Sequence, residues 1–366
     1  MSAFATLRRR EKARRPASQL ADVRSAERVV PDRLRHDRRR RALRDAGLIV
    51  VLAVLVLALA ALTLTWGTRF TPPADVFAAL TGERVPGVSF SVVTIRAPRA
   101  LGAILVGCAF GLGGIMFQTL LRNVLASPDV IGISSGASAA AVVAIAFFAA
   151  SGTSVMLAAT VGALGAALLI WAVAWRRGLS GMRFVLAGVA VGAGLQAVIA
   201  YALTRTDVKQ AQEALVWMSG SLSRSLWDQV RPVGPILLAL IIVGLIAARR
   251  LPLLALHPDT SRALGVREQR ERMLLIVLAV LLISVATSLA GPVAFVAFLS
   301  GPVAARLVRR TESRPIAAAL VGAIVVLLAD AVAQHAFPAP LPVGVITGAI
   351  GATFLIVLLM RGRTRV

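Results

Sequence analysis

Cysteine is almost missing from this 366-residue chain, which carries Cys108 alone. No disulfide can close within the chain and no cysteine-based metal site can form, so the disulfide-stapled secreted class is excluded. Histidine is nearly as scarce: His36, His257 and His335 lie far apart in sequence, which argues against a histidine metal site in one subunit. Aromatic residues make up 5% of the chain, too few for the girdles of an outer-membrane barrel. Charged residues reach 16%, where soluble domains carry about a quarter. The chain contains no G-x-x-x-x-G-K-[ST] phosphate loop, no H-E-x-x-H and no G-x-S-x-G. It therefore lacks the means to hydrolyse ATP by the phosphate-loop route, reads as a non-enzyme, and calls for no cofactor.

The residues that are abundant are apolar. Hydrophobic residues are 58% of the chain and mean hydropathy is +0.81, more than a soluble protein can cover with polar surface. This composition implies an integral membrane protein. The net charge of +23, from 40 basic against 17 acidic residues, fits the crowding of Lys and Arg into cytoplasmic loops. Residues 1–45 hold 15 basic and 6 acidic side chains and end on Arg38-Arg39-Arg40-Arg41. They read as a basic, flexible cytoplasmic tail. A nucleic-acid-binding arm is the alternative, but no aromatics are interleaved to stack on bases.

Ala46–Thr65 is a run of about 20 uncharged residues, the length that crosses a hydrocarbon core at 1.5 Å per residue. Further apolar stretches lie near 97–120, 136–150, 153–174, 184–203, 233–248, 273–289, 291–308, 315–333 and 342–360. Ten helices put both termini on one side. With the tail inside, 32 of the 40 basic residues fall in cytoplasmic segments and eight outside, as the positive-inside rule requires.

Gly107 and Gly111, Gly188 and Gly192, and Gly344 and Gly348 form G-x-x-x-G pairs. Glycines four apart share a helix face and admit close backbone packing. Asp330 is the clearest ionisable group inside an apolar stretch. An intramembrane carboxylate is a functional suspect, and a structural partner for a helix end or an arginine is the competing reading.

Ordered motifs then appear. Arg96-Ala97-Pro98-Arg99 opens the second helix, which also carries Gly107 and Gln118. Next comes Arg122-Asn123-Val124-Leu125-Ala126-Ser127-Pro128-Asp129, then Gly132 and Gly136-Ala137. Further on are Leu186-Ala187-Gly188, Trp217 with Gly220-Ser221-Leu222 and Trp227, Ala263-Leu264-Gly265-Val266, Gly291-Pro292, Pro302 with Arg306, and Leu341-Pro342-Val343-Gly344 with Thr347 and Gly351. Over about residues 46–362 the chain resembles the FecCD or BtuC-like family, the binding-protein-dependent ABC permeases for iron-siderophores, haem and vitamin B12. It departs from the pattern at Val124, Val303, Pro340 and Thr353, where the family has Pro, His or Gln, Glu and Pro, and Gln334 stands where some relatives carry an outward Arg.

The resemblance implies an all-α integral membrane protein of about ten transmembrane helices with the type II ABC importer fold. It implies a 46–362 permease domain beside the 1–45 tail, in the cytoplasmic (inner) membrane. The implied partners are ATP-binding cassette ATPase subunits, a periplasmic or lipoprotein substrate-binding protein, a second permease subunit and membrane lipid. The Arg-rich segment Leu251–Arg272 resembles the coupling helices that meet the ATPase, with Leu256, Ala263, Leu264, Gly265, Val266 and Arg267 at the contact and Arg262 and Arg270 nearby. Arg96 and Arg99 resemble the arginines that receive carboxylates of the binding protein. Gly107, Gly111, Gln118, Gly188, Gly192, Gly344, Thr347 and Gly348 are expected in helix packing or along the pathway. Ferric siderophore is the first expectation for the cargo, with haem and vitamin B12 as alternatives. An ion-coupled secondary transporter is the competing class; it predicts inverted repeats and midplane charges, and no clear repeat is visible.

Overall fold

A computed structural model describes residues 17–67, 70–124, 127–129, 131–175, 181–256, 258–263 and 267–362. The chain divides into two compact units, Met1–Leu48 and Ile49–Val366. Helices dominate throughout. In chain order they are α1 (Ala17–Thr65), α2 (Pro73–Leu80), α3 (Ala97–Leu120), α4 (Ile133–Phe148), α5 (Thr153–Ala174), α6 (Gly181–Thr204) and α7 (Val208–Met218). They continue with α8 (Trp227–Ala248), α9 (Leu251–Ala255), α10 (Pro258–Ala263), α11 (Glu268–Ala290), α12 (Val296–Leu307), α13 (Arg314–His335) and α14 (Val343–Gly362).

Among the described residues, seven helices are long and apolar enough to cross a membrane, and the apolar helices α4, α12 and α14 are shorter. Together they coincide with the ten apolar stretches of the sequence. The boundaries differ for physical reasons. The eighth stretch begins at 291, but its helix starts only at Val296. Gly291 has φ +71°, Pro292 offers no N–H, and Phe295 is left-handed at φ +62°, so the backbone cannot coil there. The sixth stretch, expected from 233, becomes α8, which begins earlier, at Trp227, and carries Pro232 and Pro235 inside it. Proline is tolerated in membrane helices because neighbouring groups satisfy the freed carbonyl. A π-helical turn, Phe90–Arg96, leads into α3.

α3 is the spine of the second unit. It runs about 36 Å at 1.5 Å per residue, and 83% of its apolar window is buried, against 6% for the window in α1. A helix apolar all round belongs in the middle of a bundle. Here α8, α11, α12 and α13 pack on it, while α4, α5 and α6 pack on one another and join through α11. Glycine lets the neighbours in. A Cβ on Gly107 would lie 2.5 Å from the Ala323 Cα, and one on Gly111 would strike the Ala318 carbonyl, both on α13. Gly114 meets the Ala297 backbone on α12 in the same way.

Candidate functional site

The residues singled out in the sequence gather at four places, set by α3 and by the interrupted helices.

At the N-terminal end of α3, Arg99 projects onto Asp330 of α13. Its Nε donates to Oδ2 at 3.0 Å and Nη2 donates to Oδ1 at 2.8 Å. Gln334 Nε2 adds a third donor group at 3.1 Å from Oδ2. Asp330 is fully buried; the side chains of the pair are 13% and 1% exposed. Low local dielectric and the forked geometry make such a pair strong once both ions are in place. Asp330 is thus the partner of an arginine, the structural role that its sequence context had left open. Arg96, one turn earlier, donates from Nη1 to the carbonyls of Leu64 at 2.8 Å and Thr65 at 3.3 Å, and to Thr71 Oγ1 at 3.1 Å. Leu64 and Thr65 end α1, where the helix dipole is negative and a cation is favoured. A carboxylate from another protein would have to displace Asp330 to take the whole fork of Arg99.

Further along α3 sits Gln118. Its amide is buried and donates to the Phe298 carbonyl of α12 at 3.0 Å, and its Oε1 lies where a Cβ on Gly301 would fall. Beside it the chain is broken twice. α4 begins only at Ile133, after Gly132 at φ +86°, and α12 only at Val296. Asp129 lies between the two starts. It accepts from the Ser134 hydroxyl in the first turn of α4 at 2.8 Å and from the Phe295 N–H that precedes α12 at 3.3 Å, so one carboxylate ties the starts of both short helices together. Gly188 and Gly192 of α6 line up on this junction. A Cβ on Gly188 would strike the Ile131 carbonyl, and one on Gly192 would lie 3.6 Å from Gly132.

A third place joins three chain crossings. Gly344 N–H donates to the Gly220 carbonyl at 3.0 Å, and Ser221 N–H to Ala290 at 2.8 Å. A Cβ on Gly220, Gly291 or Gly344 would strike the Pro292, Trp217 or Ser219 carbonyl respectively. Trp227 Nε1 anchors the same loop to Val93 at 2.6 Å. Thr347 is buried and returns its hydroxyl to the Gly344 carbonyl at 3.2 Å. Gly348, four residues on, meets no described atom within 4 Å: the glycine pair of α14 is asymmetric inside the subunit.

At the C-terminal end of α3, the short helices α9 and α10 fall within the segment read as the coupling region. Leu251 and Leu254 are buried; Leu256, Ala263, Arg267 and Arg270 are exposed. Leu264, Gly265 and Val266 lie outside the described residues, as does the side chain of Arg262. Arg122 Nη2 donates to the Leu256 carbonyl at 2.6 Å, and Arg272 Nη2 to the Leu120 carbonyl at 2.9 Å. An Arg250–Glu271 ion pair stands beside them. The sequence singled out neither these arginine–carbonyl links nor the role of Asp129, because they join residues far apart in the chain. Arginine or aspartate within a few residues of a helix end was the signal available.

Among the described residues, no group of three His, Cys, Asp or Glu stands close enough to hold a metal ion.

The FecCD transport family model matches residues 53–361. The ferric enterobactin transport system permease protein FepG of Escherichia coli is 38% identical over 301 residues, covering 81% of this chain and 91% of its own length. The achromobactin transport system permease protein CbrC of Dickeya dadantii is 36% identical over 325 residues, covering 88% and 93%. Among solved structures, an inward-facing metal-chelate type ABC transporter superposes with a TM-score of 0.76 at 25% identity, covering 86% of this chain and 99% of the other.

Proposed function

This chain belongs to the FecCD transport family, and on that premise we propose that it is the membrane-spanning permease subunit of an ATP-driven, binding-protein-dependent importer of ferric siderophores. The family match over residues 53–361 carries the reading. The relatives named for ferric enterobactin and achromobactin transport support the choice of cargo, ahead of haem or vitamin B12. The protein works in the inner membrane with both termini in the cytoplasm, an orientation supported by the 32 basic residues on that side against eight on the other.

ATP is hydrolysed by separate cassette subunits, since this chain has no phosphate loop. They dock on the segment 251–272, with Leu256, Ala263, Leu264, Gly265, Val266 and Arg267 at or near the contact. Arg262, Arg267 and Arg270 supply the positive charge proposed to pair with acidic groups of the ATPase. The substrate-binding protein docks at the Arg96–Arg99 end of α3. Arg96 and Arg99 order that face as much as they charge it, because both already hold partners within the chain. A second permease subunit, identical or closely related, completes the pathway, and Gly348 is open to it. Packed helices move as units, so closure of the ATPases reaches the pathway as rigid-body displacement.

The test is uptake into proteoliposomes holding the whole complex, with radio-iron delivered as a ferric catecholate, a ferric hydroxamate or haem, and cobalamin run in parallel. Ferric siderophore uptake that needs the binding protein is the expected result. Uptake of haem or cobalamin alone would reassign the cargo.

A further inference from the structure

The end of α3 that faces α9 and α10 is built in an unusual way. α3 ends at Leu120, and its last turn is closed by Leu121 N–H to Phe117 at 2.9 Å and Asn123 N–H to Gln118 at 3.1 Å. Between these, Arg122 is forced left-handed, at φ +49°, a conformation that side-chain-bearing residues seldom adopt. The turn throws its guanidinium across to the Leu256 carbonyl, which closes α9. From the other direction Arg272, on the second turn of α11, reaches the Leu120 carbonyl on the last turn of α3. Glu268, one turn earlier on α11, lies 4.0 Å from Arg272 and steadies it. The Arg272 guanidinium thus lies at the negative end of the α3 dipole, and that of Arg122 at the negative end of α9. α9 also packs directly on α3.

We propose that Arg122 and Arg272 are clips that fasten the 251–263 segment to α3, so that movement imposed on this segment is delivered to the spine of the bundle and not lost in the flanking loops. They act as positioning residues and make no contact with cargo or nucleotide. Their role rests on the proposal that the segment meets the ATPase. The two clips work from opposite sides: Arg122 ties the segment's α9 to α3, and Arg272 ties the helix C-terminal to the segment to the same last turn. From there displacement has stiff routes onward. Gln118, one turn back from Arg122, holds α12 through Phe298. Gly111 and Gly107 seat α13 with no side chain between the backbones, and Gly113 meets Ile283 of α11. Close-packed contacts of this kind transmit strain because they lack room to absorb it.

The experiment uses the full complex in proteoliposomes and reads two rates together: chelate imported and ATP hydrolysed. Arg122→Gly is the informative variant, since glycine accepts the left-handed turn and removes the guanidinium without stressing the backbone. Arg272→Met removes the second clip while keeping the apolar stem. For each, chelate imported per ATP hydrolysed should fall roughly fivefold or more, the lower bound for a typical coupling between sites. Recovery of the ATPase subunits with the permease should be unchanged. Arg122→Lys keeps an N–H donor on a long stem and should regain most of the lost ratio, whereas Arg122→Met, of comparable bulk but without a donor, should not. A second measurement separates the two readings. Thr260→Cys, exposed on α10, in a Cys108→Ser background, should cross-link to the ATPase. No cross-link overturns the docking reading, and the clips with it. A cross-link together with an unchanged import-to-hydrolysis ratio in Arg122→Gly and Arg272→Met overturns the clips alone.

Discussion

Arg99 and Arg122, at opposite ends of α3, are used differently. At one end Arg99 meets a carboxylate, in a pair whose side chains are 13% and 1% exposed. At the other, Arg122 is exposed and reaches a main-chain carbonyl, as does the part-buried Arg272. The depth of burial sets the difference. A charge out of water needs an opposite charge and saturated hydrogen bonds. A charge at the surface is already solvated, and the partial charge of a helix end is enough to place it. The buried end therefore holds the fold together, and the exposed end is free to serve linkage between segments.

The largest effect should come from the buried end. Arg99→Ala or Asp330→Ala leaves one ion alone in the interior and should cost about 3–5 kcal/mol, whereas Arg99→Met with Asp330→Leu should recover most of that loss. Thermal unfolding monitored by size-exclusion chromatography reads all three. Equal losses in the single and double variants would break the contrast between the ends.

Gly111 sharpens the comparison midway along the helix. Its missing Cβ coincides with the Ala318 carbonyl, so Gly111→Ala should cost about 1–3 kcal/mol by overpacking. Gly348→Ala, with nothing described nearby, should stay within about 0.5 kcal/mol in the isolated subunit. The same melting curves test both, and a tolerated Gly111→Ala would mean that α3 and α13 can separate.

Gln118→Leu should cost about 1–3 kcal/mol, because it strips the buried Phe298 carbonyl of its donor. An unchanged melting temperature would show that α12 is held without it. Arg250→Ala should also cost little. Its pair with Glu271 has the arginine side chain 59% exposed, and such pairs contribute roughly 0–1 kcal/mol. A loss as large as that of Arg99→Ala would erase the distinction between buried and exposed ends.

Much of the helical layout was legible because hydropathy reports it directly. The ten apolar stretches became seven long helices and three short ones. The short ones show where hydropathy misleads. Residues 291–295 are as apolar as α12 itself, yet glycine, proline and a left-handed Phe295 keep them out of the helix. The amphipathic α7 and the short α2 lay in stretches too polar or too brief to read as spans. The glycine pair of α3 was legible as packing, since spacing on one helix is local information. Asp330 was visible as an anomaly, but its partner stands 231 positions away and no local pattern could select Arg99 over other arginines. The segment 251–272 was legible as an Arg-rich, helix-compatible stretch; its links to Arg122 and Leu120 depend on tertiary folding alone.

The source of energy is the most direct point of attack. Proteoliposomes should be loaded with ATP, with the complex oriented to use it and with ionophores collapsing every ion gradient, and radio-iron uptake from a ferric siderophore measured over time. Uptake that persists under these conditions and stops when the ATPase is inactivated is the predicted result. Uptake that needs a proton or sodium gradient and ignores ATP would contradict it.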